Sequence, residues 1–147
     1  MVSLFSGFNI SASGMTAQRL RMDLIANNLA NATTTRTKDG GPYQRQVPVF
    51  AQRDATPFLP AALITDFNKR TAGGVKVEAI IKDPTPPRRV FNPDHPDAGE
   101  DGYVAFPNVN VVMEMTDLLA ASRAYEANVT AFDAVKTMAN LALEIGR

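Results

Sequence analysis

Cysteine is absent from this chain, which excludes disulfides, thiolate metal sites and cysteine nucleophiles together and leaves the protein indifferent to the redox state of its compartment. Tryptophan is absent too, and the single histidine, His95, leaves little material for metal binding or acid–base chemistry. No sign of charge dominates: fifteen basic residues balance fifteen acidic ones, so nothing draws the chain in bulk to nucleic acid or to an anionic membrane. No apolar run is long enough to span a bilayer. The first eighteen residues carry no charge, but Ser3, Ser6, Gly7, Asn9, Ser11, Ser13, Gly14 and Thr16 make them too polar for a membrane helix. They also lack the basic start and unbroken apolar segment of a cleavable signal peptide, so if the chain leaves the cytoplasm it does so by a route that recognises something else.

Proline is missing from both ends. All ten prolines lie between Pro42 and Pro107, and because proline breaks helix interiors this predicts helix, proline-rich middle, helix. At 147 residues the chain can bury a real core. The expected class is α+β: long N- and C-terminal helices form an antiparallel, coiled-coil-like pair, with a small β-rich domain inserted between them. The divisions fall at residues 1–32, 33–107 and 108–147. The simplest packing places the β-rich domain at one end of the helix pair.

The stretch from Val109 to Ile145 has neither proline nor glycine and carries two apolar rows at helical spacing. One runs Val111, Met115, Leu118, Tyr125, Val129, Phe132, Ala139, Leu143; the other runs Ala121, Ala124, Ala131, Val135, Met138, Ala142, Ile145. One stripe would be enough to cover a domain's own core. Such a helix would be about 55 Å long, whereas a compact globule of this size is roughly 38 Å wide. A bent helix in a self-contained bundle is one solution; a helix that takes partners from other chains is the other. The N-terminal segment from Ser11 to Ala32 has its own row, Met15, Met22, Ile25, Leu29 and Ala32, at heptad spacing. Gly7 and Gly14 each lower helix propensity there by about 1 kcal/mol, so this helix should be firm only when packed. Asn27 and Asn31, four residues apart, could hydrogen-bond across to neighbouring helices; Asn31 could equally cap its own helix.

In the middle, Asp39-Gly40 suits a turn, and Tyr43 to Ala51 alternates as an edge strand containing Pro48. Residues 52–72 support no assignment, Leu59 to Phe67 suiting a short helix or a strand. Gly73-Gly74 opens the clearest strand, with Val75, Val77, Ala79 and Ile81 alternating against Lys76, Glu78 and Lys82. Arg88–Phe91 and Tyr103–Phe106 are shorter strand candidates, and Asn108 or Asn110 would cap the second helix.

The charged residues admit three further readings. Asp94, His95, Asp97, Glu100 and Asp101 are the one dense group of possible ligands, but an EF-hand-like loop starting at Asp97 would need an oxygen ligand where Gly99 stands and a glutamate where Asn108 stands. The same carboxylates could form a pair cleaving peptidoglycan glycan strands, which requires one acid held in an apolar site rather than in a proline- and glycine-rich loop. A helix lying on a membrane surface would line its polar face with cations. Here Arg123 and Lys136 are outweighed by Glu114, Asp117, Glu126, Asp133 and Glu144.

Two segments resemble shared motifs of the bacterial flagellar rod and hook proteins: Ser13-Gly14-Met15 with Ala26-Asn27-Asn28-Leu29-Ala30-Asn31, and Glu114-Met115-Thr116-Asp117-Leu118-Leu119 with Arg123-Ala124-Tyr125-Glu126-Ala127-Asn128. The middle, at Gly73-Gly74-Val75, Phe91-Asn92-Pro93-Asp94-His95-Pro96-Asp97-Ala98, Gly102-Tyr103-Val104 and Pro107-Asn108-Val109, is similar to the proximal rod members of that family. Residues 57–71 do not match. The resemblance implies a structural, non-enzymatic subunit of the basal body without a cofactor, assembling helically into a hollow rod across the periplasm that transmits torque from motor to hook. It implies export through the flagellar type III apparatus without a cleaved signal. Its partners would be further copies, the rod proteins FlgB, FlgF and FlgG, and the adaptor FliE. The terminal helices would form the inner tube, with subunit contacts through Met15, Met22, Ile25, Asn27, Leu29, Asn31, Met115, Leu118, Tyr125, Phe132, Val135 and Met138. Leu118, Tyr125, Phe132 and Val135 would be the anchors, facing Met22 and Leu29. A type III-secreted coiled-coil effector or translocator shares the route and the helices, but would not need the inserted β-rich domain.

Overall fold

Both proline-free ends form long helices, as their composition predicts. The computed structural model describes residues 4–38, 40–53 and 73–145. Asp39 of the turn expected at Asp39-Gly40, the unassigned segment around Leu59 to Phe67 and all of 57–71 lie outside the described residues. The elements in chain order are α1 (Leu4–Ala30), β1 (Gln46–Gln52), β2 (Val75–Lys82), β3 (Arg88–Phe91), β4 (Tyr103–Phe106) and α2 (Val111–Ile145). At 1.5 Å per residue, α1 is about 40 Å long and α2 about 52 Å.

α1 begins seven residues earlier than the expected start at Ser11 and runs through both Gly7 and Gly14. The glycines are where α2 comes closest. A β-carbon on Gly14 would stand 2.5 Å from Asn128 Oδ1 and 2.9 Å from its Cγ, and one on Gly7 would stand 3.3 Å from a Val135 methyl. Phe8 meets Phe132 edge to face, with ring centroids 4.9 Å apart. Position 7 thus faces 135, 14 faces 128 and 28 faces 114, one heptad up α1 for each heptad down α2. The helices are antiparallel and in coiled-coil register. α2 starts at Val111 because Asn110 caps it, its Oδ1 accepting from the N–H groups of Val112 (3.0 Å) and Met113 (3.3 Å).

β1 and β2 form an antiparallel hairpin with an irregularity between Val49 and Phe50, and β3 and β4 form a second hairpin. Expected to start at Tyr43, β1 starts at Gln46, since Tyr43 and Arg45 turn toward the helices. The first hairpin does not sit at one end of the helix pair as the simplest packing suggested. It lies along α1, from Asn28, bonded to Gln46, to Ser13, bonded to Val75. The physical reason is a second face on α1, where Ala17 and Leu24 are buried and Leu20 is half-buried. Gly74 brings the strand in. Its φ of +103° and the Ser13 side chain against its missing Cβ both require glycine, while Ser13 Oγ accepts from Val75 N (3.1 Å) and donates to the Ile10 carbonyl (2.7 Å). α1 is therefore covered on two sides. Among the described elements α2 packs on α1 and on no strand. The β3–β4 hairpin buries Val104 completely and is tied to the loop after α1 by Thr35 Oγ1 donating to Asp97 (2.7 Å).

Candidate assembly surface

The face that α2 turns to α1 steps alternately by four and three residues: Glu114, Leu118, Ala121, Tyr125, Asn128, Phe132, Val135. It takes members from each of the two rows read in the sequence. One heptad seam therefore uses the inner edge of both stripes, and their outer edges remain uncovered. Exposure is heaviest at the two ends of α2, with Val112 at 73%, Met113 at 62% and Leu119 at 63% near its start, and Leu143 at 73% near its finish. With Val135 opposite Gly7, the last several residues of α2 run beyond the start of α1. Among the described residues, no helix is long and apolar enough to cross a membrane.

The contact residues expected from the sequence divide into four groups. Ile25 is buried; Leu118, Tyr125, Phe132 and Val135 are half-buried in the seam against α1. Met15, Met22 and Leu29 are half-buried one position beside the α1 seam, which itself consists of Gly7, Ser11, Gly14, Gln18, Arg21, Ile25 and Asn28. Met115 and Met138 are more than half exposed. Asn27 is exposed and Asn31 bonds back to it, its Nδ2 donating to the Asn27 carbonyl and to Asn27 Oδ1, both at 2.9 Å. Asn31 thus closes the end of its own helix, without the left-handed backbone that such caps often use.

The residue that reaches across is Asn28. It is 1% exposed, as is Glu114, and its amide is fully used. Nδ2 donates to Gln46 O (2.9 Å) and to Glu114 Oε2 (3.2 Å), and Oδ1 accepts from Gln46 N and Tyr43 OH, both at 2.9 Å. Arg45 Nε donates to Glu114 Oε1 at 2.6 Å, and the guanidinium also lies 3.5 Å from Asp117 and 3.8 Å from Asp83. Arg21 bridges α1 to Asp117 at 3.1 Å. A buried carboxylate is thereby paired and hydrogen-bonded, the condition under which burying it is tolerable. None of Asn28, Glu114 or Arg45 stood out in the sequence as a site residue. The signal was available in a glutamate at an inward heptad position and an asparagine seven residues after Arg21, but both are polar and lie outside the apolar rows the sequence shows.

Tyr43 feels this cluster. Burial, and secondarily the charge of Glu114, hold its phenol above the ordinary 10.0. With the folded value raised, its contribution to stability is complete below pH 10 and is lost as pH rises through the folded value. In an alkaline absorbance titration, Tyr43 should ionise later than a free tyrosine, and Tyr43→Phe should remove that late phase. A late phase that survives the substitution would assign it elsewhere. Asp83, at the surface, is shifted down chiefly by hydrogen bonds from Thr85. The acidic loop is used internally: Asp97 takes Thr35 and lies 4.0 Å from Arg36, and the His95 ring meets Phe106 edge-on.

The fold is thus a helix pair with a polar clasp, an uncovered outer flank and a hairpin laid along one member, and sequence relatives place it in a class. Residues 8–38 match the family described as flagella basal body rod protein, and residues 100–145 match the C-terminal region of the flagellar basal body rod FlgEFG proteins. The chain belongs to the flagellar basal-body rod proteins. Within them it belongs to the FlgC family: it is 47% identical to the flagellar basal-body rod protein FlgC of Borreliella burgdorferi over 98% of both chains. Identity is 43% to FlgC of Bacillus subtilis, over 99% of this chain and 100% of the relative. It is 38% to FlgC of Salmonella typhimurium over the same shares. The protein is a structural component of the flagellar basal-body rod.

Proposed function

We propose that copies of this chain, in helical array with other rod proteins, form part of a hollow shaft that transmits torque from motor to hook. In this reading residues 1–32 and 108–147 are the axial core and 33–107 the outer domain. The observation that carries it is the outer flank of α2, apolar and exposed at both ends of a helix whose inner seam is already filled by α1. Heterologous contacts through such a flank do not close on themselves and so generate a helix. FlgB, FlgF, FlgG and the adaptor FliE are the partners we assign, with passage through the flagellar type III apparatus without a cleaved signal and a final place in the rod spanning the periplasm. The protein acts by contact alone, without catalysis or cofactor.

Met115 and Met138 test this, because both are exposed and neither belongs to the seam. Met115→Asp and Met138→Asp should leave the isolated chain's stability within about 0.5 kcal/mol of the parent, while abolishing incorporation into rods and hence motility. Motile cells with normal rods built from either variant would sink the proposal. Tyr125→Asp is a poorer probe, since Tyr125 faces α1 and a charge there opens the helix pair before it affects any neighbour.

A further inference from the structure

A heptad seam can slip by seven residues and still bring seam positions together. Here the seam itself offers little resistance. From Gly7 to Arg21 its α1 positions are Gly7, Ser11, Gly14, Gln18 and Arg21, all small or polar, with Phe8 beside Gly7 meeting Phe132, and Gln18 Oε1 is buried without a partner. Charge alone does not discriminate either, because a one-heptad slip would set Glu114 against Arg21, another cation. What only one register supplies is Asn28 bonded at once to Glu114 on α2 and to both backbone groups of Gln46, with Arg45, its neighbour in sequence, on the other carboxylate oxygen at 2.6 Å. In a slipped register the buried Asn28 amide loses Glu114, and an unsatisfied buried donor is strongly disfavoured.

We propose that the Asn28–Glu114–Arg45 clasp is the specificity-determining element that sets the register of α1 against α2 and ties that register to the position of the β1–β2 hairpin. It does so independently of how copies assemble. Of the stretches carrying the resemblance to rod proteins, those around Asn28 and around Glu114 meet at this contact.

The absence of native cysteine makes register measurable in the full-length chain. A β-carbon at Gly14 would lie 2.9 Å from Asn128 Cγ, close to the separation of about 3 Å between a β-carbon and the opposite sulfur of a disulfide. Gly14→Cys with Asn128→Cys therefore reports the native register. Gly14→Cys with Ala121→Cys or Val135→Cys, each also carrying Asn128→Ala to clear space, reports the two one-heptad slips. Under mild oxidation, the parent should cross-link at 14–128 and not at 14–121 or 14–135. Replacing the clasp with apolar residues (Asn28→Leu, Glu114→Leu, Arg45→Met) should preserve helix content while raising the ratio of slipped to native cross-link by about tenfold. If that variant loses its helices, Glu114→Gln, which keeps the shape and removes the charge, should raise the ratio by about threefold. Cross-linking confined to 14–128 in a helical clasp variant would overturn the proposal. So would a parent that gives no 14–128 cross-link, for the helices would then take their register from neighbouring copies.

Discussion

Replacing Arg45 with alanine should lower the stability of the chain by about 3 kcal/mol, a large share of the 5–15 kcal/mol typical of a domain. The effect comes from what is left behind. Glu114 is 1% exposed and keeps one hydrogen bond, from Asn28, but loses the guanidinium 2.6 Å away. A buried carboxylate without its cation is far more costly than the ion pair was favourable. The expected value is at the low end of the range for broken buried pairs because the Arg45 side chain is itself one-quarter exposed. Arg45→Lys should recover only part of the loss, since an ammonium cannot serve Glu114, Asp117 and Asp83 with a planar fork. Arg45→Met with Glu114→Leu should be less destabilised than Arg45→Ala alone. Urea denaturation followed by circular dichroism measures all of these, and a change below about 1 kcal/mol for Arg45→Ala would show that water reaches Glu114.

Gly14→Leu should cost about 2 kcal/mol, and the sign is the informative part. On an exposed helix the same change would stabilise, because glycine is a poorer helix former than leucine by roughly 0.8 kcal/mol. At Gly14 the first added carbon already falls 2.5 Å from Asn128 Oδ1, so the helices must part or Asn128 must move. Asn128 Nδ2 is held by the Ala124 carbonyl at 2.7 Å, which makes moving it costly. Gly14→Ala combined with Asn128→Ala removes the obstruction and should be at least as stable as the parent, since alanine favours the helix at both positions. Thermal unfolding of the three chains gives the comparison; a stabilised Gly14→Leu would mean that the helices do not approach at this point.

The order of elements, the class and the two ends of the helical pair were legible in the sequence because proline placement and strand alternation are local signals. The register was not. Apolar periodicity pointed to Met15, Met22, Ile25, Leu29 and Ala32 as the seam of α1; Ile25 does lie in it, but beside Met15, Met22 and Leu29 the true seam runs one residue earlier, on small and polar residues that such a pattern discounts. Close approach rather than apolar knobs joins these helices, and only a partner 86 to 128 residues away shows which residues must be small. Likewise Asn27 and Asn31 stood out for their helical spacing, while Asn28, between them, does the crossing. Its partners Gln46 and Glu114 come from separate parts of the chain. The position of the first hairpin failed for a related reason: the buried residues of the second face of α1, Ala17 and Leu24, are too few to read as a stripe.

The arrangement of α1 has a topological consequence. It is the first element in the chain and is enclosed between the hairpin that follows it and the helix that comes last. Its pairing with α2 closes a loop of most of the chain, an entropic cost met only when the distant contacts form together, and folds built on such contacts close slowly. A chain still being synthesised, or still threaded through a pore, has one terminus on the wrong side and cannot complete the pair. The two helices can come together only once both ends of the polypeptide are in the same compartment.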